Sequence, residues 1–404
     1  MMEEQTMMIT ATRLRESIDE MMPGVVADRR HLHEHPELGF HEVGTARFVA
    51  ERLQALGVED IQTGIAETGV TGVIRGGQGP GKTVLLRADM DALPIVEEND
   101  VPYRSRHDGV MHACGHDGHT AMLLGVARVL TERKEDFAGT VKLLFQPAEE
   151  MPPGGAKPMI EAGVLDDPPV DAVFGIHLDQ DAPVGKVSLA GGPVMAAADR
   201  FTIVIKGKGG HGAKPQTAID PIAIGSQIVV ALQTLISREY DPVATGVVSV
   251  CAFLSGSAFN VIPDTAELRG TVRTFTAENR AMLSERIPEL VRGIAAAMRA
   301  EAEVTYDFGY PASINDPAMT DLVREVVTEV VGAENVIAAE PQMGAEDFSY
   351  FLERRPGSFF FIGSNNAARG LTWGHHHPRF DIDEAALAIG IESVAKTALR
   401  YLET

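Results

Sequence analysis

Cysteine is scarce in this sequence, with only Cys114 and Cys251 among 404 residues. Two cysteines in a chain this long do not form a disulfide framework, which is typical of a reducing compartment. Basic residues are also few, since 35 Lys and Arg face 57 Asp and Glu and leave a formal net charge of −22. A surface this acidic repels phosphate backbones and anionic lipid headgroups, so we expect neither nucleic acid nor a membrane as a partner.

Long hydrophobic runs are missing as well. We find no uninterrupted apolar run close to the roughly 20 residues that span a bilayer, and the acidic N-terminal segment does not fit a secretory signal peptide. These absences predict a cytoplasmic protein. The apolar fraction of 45% is typical of a compact α/β protein, and 404 residues exceed what one hydrophobic core usually serves, so two domains are expected.

Both ends of the chain alternate helical and strand patterns. Helical spacing of apolar residues is found over 12–34, 42–56, 119–130 and 384–402. Short apolar or β-branched runs lie at 83–89, 140–146, 172–177 and 358–363. Apolar strands separated by helices predict a mostly parallel sheet with helices on both faces.

The middle of the chain follows another pattern. From about Arg200 the predicted order is strand, helix, strand, strand, helix, strand, which is the split βαβ, ferredoxin-like pattern. We therefore predict an α/β protein with two domains. A larger, discontinuous domain comprises residues 1–193 and 309–404, and a ferredoxin-like α+β domain is inserted at 194–308.

Polar side chains follow three of the predicted strands. Asp89 and Asp91 come at the end of the first strand, Glu149 and Glu150 follow the second, and His177 ends the third. In open parallel sheets, ligands bind beyond the carboxyl ends of the strands. Carboxylates and an imidazole delivered to one edge of the sheet predict a metal site there.

The segment MHACGHDGHT, residues 111–120, is the densest cluster of metal-binding residue types. A thiolate, imidazoles and carboxylates together suit zinc or a similar borderline metal. Cys114 and His116 lie two positions apart in a loop, where they can converge on one ion, and we interpret them as ligands. For Asp117 and His119 we favour structural roles, the first as a helix cap and the second as a packed side chain.

Glu149 and Glu150 form an adjacent pair of carboxylates after a buried strand and a proline. One member of such a pair can bind metal while its neighbour accepts a proton from water.

The sequence also contains two histidine-rich runs. Residues 374–384 include three consecutive histidines, and residues 31–41 include four histidines. The helical surroundings of the 31–41 run favour structural or supporting roles over ligation.

With these residues assembled, the sequence resembles the aminoacylase and carboxypeptidase family of di-metal hydrolases. Within it, the chain is similar to the hippurate hydrolases and plant-type indole-acetyl-amino-acid amidohydrolases, which are N-acyl-L-amino acid amidohydrolases. The matching motifs are HEHPELGFHE (33–42), RADMDALP (87–94), MHACGHDGHTAMLLG (111–125), FQPAEE (145–150), GIH (175–177), GKGGHGAKP (207–215), NVIPDTAELRGTVRTF (260–275), GAEDFSYF (344–351) and HHPRFDIDE (376–384). No single motif is specific, but the whole ordered set is.

Carried over residue by residue, the resemblance implies five metal ligands: Cys114, His116, Glu150, His177 and His376. The choice of His376 follows the subfamily's H-x-P pattern, and His375 and His377 stay open. The resemblance also implies that Glu149 is the general base. Asp89 stands where many relatives have a metal-binding histidine, so the identity of the metal does not transfer from the wider family.

The resemblance further implies how a substrate is held. His211 is the candidate donor to the oxyanion of the tetrahedral intermediate, and Asn260 and Arg273 correspond to substrate-binding residues. An arginine can grip the free carboxylate of an N-acyl amino acid in a bidentate manner. In relatives the inserted domain is a dimerisation and lid domain, so a homodimer with His211 completing the neighbour's site is expected.

The sequence thus predicts a hydrolase that cleaves the amide bond of N-acyl amino acids with two divalent metal ions. Zinc is favoured by Cys114, while manganese, cobalt and nickel stay open. The alternatives are a dipeptidase or an N-acetyl-diaminopimelate deacetylase on the same machinery, a non-catalytic metal-binding domain, and a two-metal phosphoesterase. The presence of Glu149 as a base beside the metals disfavours a simple binder, and the site region has no cluster of Arg and Lys for a phosphoryl group.

Overall fold

A computed structural model describes residues 2–404, with side chains from Leu14 onward. The chain folds into two compact units. The first comprises residues up to Val194 together with Ile314–Glu340 and Asp347–Thr404, and the second comprises Met195–Ser313 and Pro341–Glu346. The boundaries predicted from the sequence lie at 193/194 and 308/309, and the return of Pro341–Glu346 to the second unit was not predicted.

The first unit is built on an eight-stranded sheet. Its strands, in the spatial order β1-β2-β4-β3-β5-β16-β6-β15, are β1 (Glu59–Ile65), β2 (Gly69–Arg75), β4 (Thr140–Gln146), β3 (Thr83–Asp89), β5 (Ala172–Pro183), β16 (Gly357–Asn365), β6 (Val187–Leu189) and β15 (Val336–Ala338). The neighbouring pairs from β4 through β3 and β5 to β16 are all parallel. The predicted mostly parallel sheet is therefore confirmed.

Helices pack against this sheet and against one another. They are α1 (Met2–Glu34), α2 (Val43–Leu56), α3 (His116–Glu132), α4 (Ala156–Glu161), α7 (Pro317–Val331), α8 (Ser349–Leu352) and α9 (Ala385–Glu403). Strand β3 is buried along its whole length, as expected when helices cover both faces of a parallel sheet. Its central apolar residues Val84, Leu85 and Leu86 are fully buried.

The second unit has the expected ferredoxin-like order. Strands β8 (Ala197–Lys206), β10 (Gly246–Ser255), β12 (Thr265–Thr274) and β13 (Glu301–Asp307) form an antiparallel sheet in the order β10-β12-β8-β13. Helices α5 (Pro221–Thr234) and α6 (Ala277–Ala297) pack on it through Ile224, Ile228, Leu283 and Ile287. A short ribbon pairs β9 (Gly210–His211) with β11 (Val261–Ile262). The remaining short strands are β7 (Gly192–Met195) and β14 (Ser313–Asn315).

One helical stretch of the second unit, Pro221–Glu239, is long and apolar enough by length and composition to cross a membrane. This stretch was not predicted from the sequence because polar residues interrupt its apolar run. Soluble core helices meet the same criterion, and one face of this helix contributes Ile224, Ile228 and Leu232 to the core of the unit.

Candidate metal centre

Three parallel strands bring the candidate ligands to one edge of the first unit's sheet. In the register of β3 with β4, Asp89 lies beside Gln146. In the register of β3 with β5, Arg87 lies beside Gly175, which puts His177 level with Asp89. The loops that follow β3 and β4 carry Asp91 and Glu149, so the expected edge is where these groups meet.

The potential ligand atoms form overlapping groups in which all atoms lie within 4.8 Å of one another. Three such groups are Cys114–His116–His177, Cys114–Glu150–His376 and His116–Glu149–Glu150. All five ligands expected from the sequence, and the expected base Glu149, belong to these groups. The structure thus brings the set together from positions up to 262 residues apart (376 − 114 = 262).

His116 begins helix α3 and is fully buried. Its Nδ1 lies 2.9 Å from the carbonyl oxygen of Asp91 and 3.2 Å from the Asp91 carboxylate, so Nδ1–H is the donor. Among the side chains that the structure describes, Nε2 of His116 has no hydrogen-bond partner. A buried nitrogen left in this state costs free energy unless a ligand satisfies it, and a metal ion would do so.

His177 is oriented in the same manner. Its Nδ1–H donates to the carbonyl oxygen of Leu178 at 2.6 Å, which leaves the Nε2 lone pair facing the Sγ of Cys114 at 3.5 Å. Burial lowers the pKa of His177 well below its usual range, so the imidazole is neutral, as a metal ligand requires.

The electrostatic potential at the candidate metal centre is strongly negative. Burial, reinforced by Glu150, Glu149 and Asp89, raises the pKa of the Cys114 thiol well above its usual range. Burial opposes a charge on His116, but the carboxylates of Asp89 and Asp91 outweigh it and raise the pKa of that imidazole to about 10. Carboxylates that retain protons on their neighbours mark a place where cations are stabilised.

The three consecutive histidines have different surroundings. His376, with φ of 64°, contacts Oε1 of Glu150 through Nε2 at 2.9 Å. His375 accepts the Gln180 N–H at Nε2 and faces the Cys114 sulfur with Nδ1 at 3.8 Å. His377 accepts the Arg379 N–H and stacks on Trp373. The geometry therefore favours His376 as the ligand, with His375 as a donor to the thiolate.

Asp89 and His119 are engaged with each other. His119 Nδ1 lies 2.6 Å from Asp89, and its Nε2 accepts the Leu178 N–H at 2.9 Å. Arg87 contacts the second oxygen of Asp89 at 2.6 Å. Although Asp89, His116 and His119 lie within metal-binding distance of one another, both nitrogens of His119 are already used. The Asp89 carboxylate therefore fixes the side chains of Arg87 and His119.

Asp117 was predicted to cap helix α3, and this prediction is wrong. The N-cap residue is Gly115, whose φ of 94° suits glycine. Asp117 is instead buried in the first turn, 2.8 Å from both Arg29 and His33. Burial opposes a charge on His33, but Asp117 outweighs it and raises the pKa of His33 to about 9. The 31–41 run therefore supplies a supporting residue, as expected.

Asp91 is the functional residue to which sequence reasoning assigned no role. One carboxylate oxygen lies 3.2 Å from His116 Nδ1, and the other accepts the backbone N–H of Glu150 at 2.9 Å. A single side chain thus holds two candidate ligands. Its position two residues past the end of β3 was the available signal, because a carboxylate at that edge faces the site.

The substrate-side candidates lie in the second unit. His211 and Val261 pair across the β9–β11 ribbon, and the carbonyl oxygen of Asn260 accepts the Gly212 N–H at 2.9 Å. Arg273, on β12, donates through Nε to the carbonyl oxygen of Met343 at 3.2 Å. His211 and Asn260 are therefore neighbours on one ribbon, and Arg273 is oriented by the segment 341–346.

The donor set fits two divalent cations. It offers one thiol, three imidazoles and a carboxylate, all from one unit, and it includes His116 Nε2, which has no hydrogen-bond partner among the side chains that the structure describes. Mixed sulfur, nitrogen and oxygen ligands suit zinc and neighbouring transition metals better than magnesium.

Comparison with known proteins gives a consistent result. The model of peptidase family M20/M25/M40 matches residues 85–400. The chain is 48% identical over 307 residues to the N-acyl-L-amino acid amidohydrolase of Geobacillus stearothermophilus, covering 76% of this chain and 82% of that protein. It is 43% identical over 384 residues to IAA-amino acid hydrolase ILR1-like 4 of Arabidopsis thaliana, covering 94% of this chain and 86% of that protein.

Comparison with solved structures agrees with the family match. The crystal structure of the Bacillus subtilis YXEP protein, described as a dinuclear metal-binding peptidase of the M20 family, superposes with a TM-score of 0.84 and 40% identity. The alignment covers 96% of this chain and 99% of that chain.

Proposed function

The chain belongs to peptidase family M20/M25/M40, and from that premise we propose that it is a dinuclear metallo-amidohydrolase that cleaves the amide bond of N-acyl amino acids. The observation that carries the proposal is the set of overlapping ligand groups with Glu149 inside it. The relatives named as hydrolases of N-acyl-L-amino acids and IAA-amino acids support the same substrate class. The family and activity expected from the ordered motifs are thereby confirmed.

We assign the two metal ions to five ligands: Cys114, His116, Glu150, His177 and His376. Zinc is the proposed metal because a thiolate and three imidazoles suit it, with manganese, cobalt or nickel as substitutes. When bound, the ions lower the pKa of a water molecule and polarise the amide carbonyl. Asp91 holds His116 and the backbone of Glu150 in place, and His375 faces the sulfur of Cys114.

Glu149 is the proposed general base. It is buried and lies within 4.8 Å of ligand atoms of His116 and Glu150. As water adds to the amide carbon, Glu149 accepts its proton and then returns a proton to the leaving nitrogen. The carbon–nitrogen bond breaks, and the products are a carboxylic acid and a free amino acid.

His211 is the proposed donor to the oxyanion. Its Nδ1 accepts the backbone N–H of Ala213 at 3.1 Å, so in the neutral ring the proton resides on Nε2. A hydrogen-bond donor fixed in advance stabilises developing negative charge without reorganisation during the reaction. The ribbon that carries His211 therefore sets the tautomer that this role needs.

Arg273, with Asn260, is proposed to hold the carboxylate of the substrate. The parent enzyme is expected to hydrolyse hippurate and N-acetyl amino acids faster than their C-terminal amides or simple dipeptides. Arg273→Ala is expected to cost about 1.5–3 kcal/mol with free-acid substrates because a charge-assisted hydrogen bond is lost, and to leave the amides nearly unaffected. The measurement is kcat/KM for matched acid and amide pairs.

Arg269, exposed on the same strand and paired with Glu267, offers a matched control. Arg269→Ala should leave the preference for the free acid intact. An Arg273→Ala variant that kept the parent's preference would show that another group anchors the carboxylate. A parent that prefers dipeptides would redirect the proposal to a dipeptidase.

A homodimer through the inserted unit completes the proposal. Strand β10 is an edge strand, and its Leu254 is 52% exposed. On the nearby helix α5, Val230 is 66% exposed. A long edge strand beside exposed apolar side chains is a surface that soluble proteins usually cover. A second copy of the chain offers the same edge and would cover it by two-fold pairing.

Mixed dimers test whether His211 serves the partner's site. His211→Ala and Glu149→Gln subunits, each nearly inactive alone, are co-expressed with different affinity tags. If His211 acts on the neighbouring subunit, one site of each mixed dimer is whole, and random pairing restores about a quarter of the sites. Hydrolysis of an N-acetyl amino acid by the doubly purified mixed dimer is the measurement, and about half of the parent's rate is expected because one of its two sites is whole.

The reference is a mixture of the two purified homodimers without exchange, which should stay inactive. Inactive mixed dimers of verified composition would assign His211 to its own subunit.

A cytoplasmic location, without nucleic-acid or membrane partners, is also part of the proposal and is supported by two cysteines and the net charge of −22.

A further inference from the structure

The motif HEHPELGFHE, residues 33–42, contains a carboxylate that the metal centre does not use. Glu42 directly precedes helix α2, and its side chain is fully buried. One carboxylate oxygen accepts the backbone N–H of Ala148 at 2.8 Å, and the other accepts the hydroxyl of Thr68. A buried carboxylate held by neutral donors is costly, which calls for a reason beyond packing.

Ala148 is the residue immediately before the proposed base Glu149. Its φ of 53° lies in the left-handed region that non-glycine residues seldom adopt. Such a conformation persists only where the surroundings enforce it. The hydrogen bond from Ala148 to Glu42 is one such restraint.

The loop that carries Glu42 restrains Ala148 a second time. A Cβ atom added at Gly39 would lie 2.9 Å from the Cβ and 3.0 Å from the Cα of Ala148. The backbone of the 33–42 motif is therefore packed directly against this residue. Both contacts act on Ala148, one by hydrogen bonding and one by shape.

We propose that Glu42 is a positioning residue that fixes the base Glu149 through the backbone of Ala148. The inference rests on the proposed function. Glu149 is bracketed by two anchored N–H groups, since Ala148 donates to Glu42 and Glu150 donates to Asp91 at 2.9 Å. Loss of Glu42 removes the restraint on the N-terminal side of the base but leaves the ligand Glu150 held by Asp91.

The environment of Glu42 agrees with this role. Burial, together with the nearby Asp91, raises its pKa to about 7, while the hydrogen bonds from Thr68 and Ala148 oppose the rise. A glutamine keeps a carbonyl oxygen for Ala148 and can donate to the Thr68 oxygen, so the hydrogen bonds do not require a charge. Leucine of similar volume offers no acceptor.

Glu42→Leu is expected to lower kcat by about 10- to 100-fold, because a misplacement near 1 Å at the reacting groups has that effect. KM is expected to stay within about twofold and metal content at two ions per subunit. Glu42→Gln is expected to restore most of kcat. Steady-state kinetics on an N-acetyl amino acid and metal analysis of the zinc-loaded enzyme provide the readouts.

Glu37, in the same loop, is the matched control. Its carboxylate accepts the N–H groups of Gly44 and Thr45 and so holds the start of α2, but it does not reach Ala148. Glu37→Leu is expected to lower the unfolding temperature without changing kcat. Equal losses of kcat in Glu37→Leu and Glu42→Leu would reduce Glu42 to a structural residue and overturn the proposal.

Gly39→Ala tests the same contact if Glu42→Leu does not fold. The added methyl group must displace Ala148, so a loss of kcat with metal retained is expected. A fully active Gly39→Ala or Glu42→Leu enzyme, or a Glu42→Gln enzyme as impaired as Glu42→Leu, contradicts the proposal. A zinc-loaded parent that hydrolyses no N-acyl amino acid would instead refute the proposed function, so the two failures are distinct.

Discussion

Glu149→Gln is expected to retain both metal ions while turnover falls by about 10²–10⁴-fold. The amide is nearly isosteric with the carboxylate but cannot accept the proton of the attacking water. Glu149 lies within 4.8 Å of ligand atoms without being needed to complete the five-ligand set. Metal analysis and kcat on an N-acetyl amino acid, measured on one preparation, check both halves of the expectation.

Glu150→Gln is the paired variant, because the two residues are adjacent and differ in role. Its side chain meets Cys114 and His376 at the centre, so this change is expected to reduce metal content before it affects chemistry. If Glu149→Gln lost metal while Glu150→Gln kept it, the assignments of base and ligand would be exchanged.

Removal of metal by a chelator is expected to abolish hydrolysis. Activity should return with zinc, manganese, cobalt or nickel and not with magnesium alone, because one thiolate and three imidazoles are poor ligands for magnesium. The measurement is activity against metal content during stepwise reconstitution, with two ions per subunit at full activity. Circular dichroism of the stripped protein serves to confirm that the fold is retained.

Cys114→Ser separates metal affinity from chemistry. The variant should need a higher concentration of zinc for half-maximal activity, because a hydroxyl is a weaker ligand than a thiolate. Full turnover by a preparation shown to be free of metal would refute the whole mechanism.

Most of the first unit's architecture could be predicted from its strands. The runs at 83–89 and 140–146 match β3 and β4 to the residue, because each strand carries several buried apolar residues and ends in a polar residue at the edge of the sheet that holds the site. Strands β1 and β2 were not predicted. Strand β1 is largely exposed, so it lacks the apolar signal on which such predictions depend.

The candidate ligands were accessible from the sequence because they belong to ordered motifs at strand ends. Their supporting contacts were not, since they join residues far apart in the chain. Arg29 meets Asp117 across 88 positions (117 − 29 = 88), and this pairing, not capping, sets the role of Asp117. The link between Glu42 and Ala148 depends on a backbone N–H, which no side-chain pattern reveals.

The order of strands in the first unit has a consequence for how a cell makes this protein. Strand β16 lies between β5 and β6 in the sheet, yet it is synthesised after every other strand of that sheet. Until it emerges from the ribosome, the growing chain exposes the edge of β5, which also carries His177. Nascent chains with open strand edges are prone to aggregate, and the metal centre cannot be completed until β16 and the segment with His376 that follows it have been synthesised.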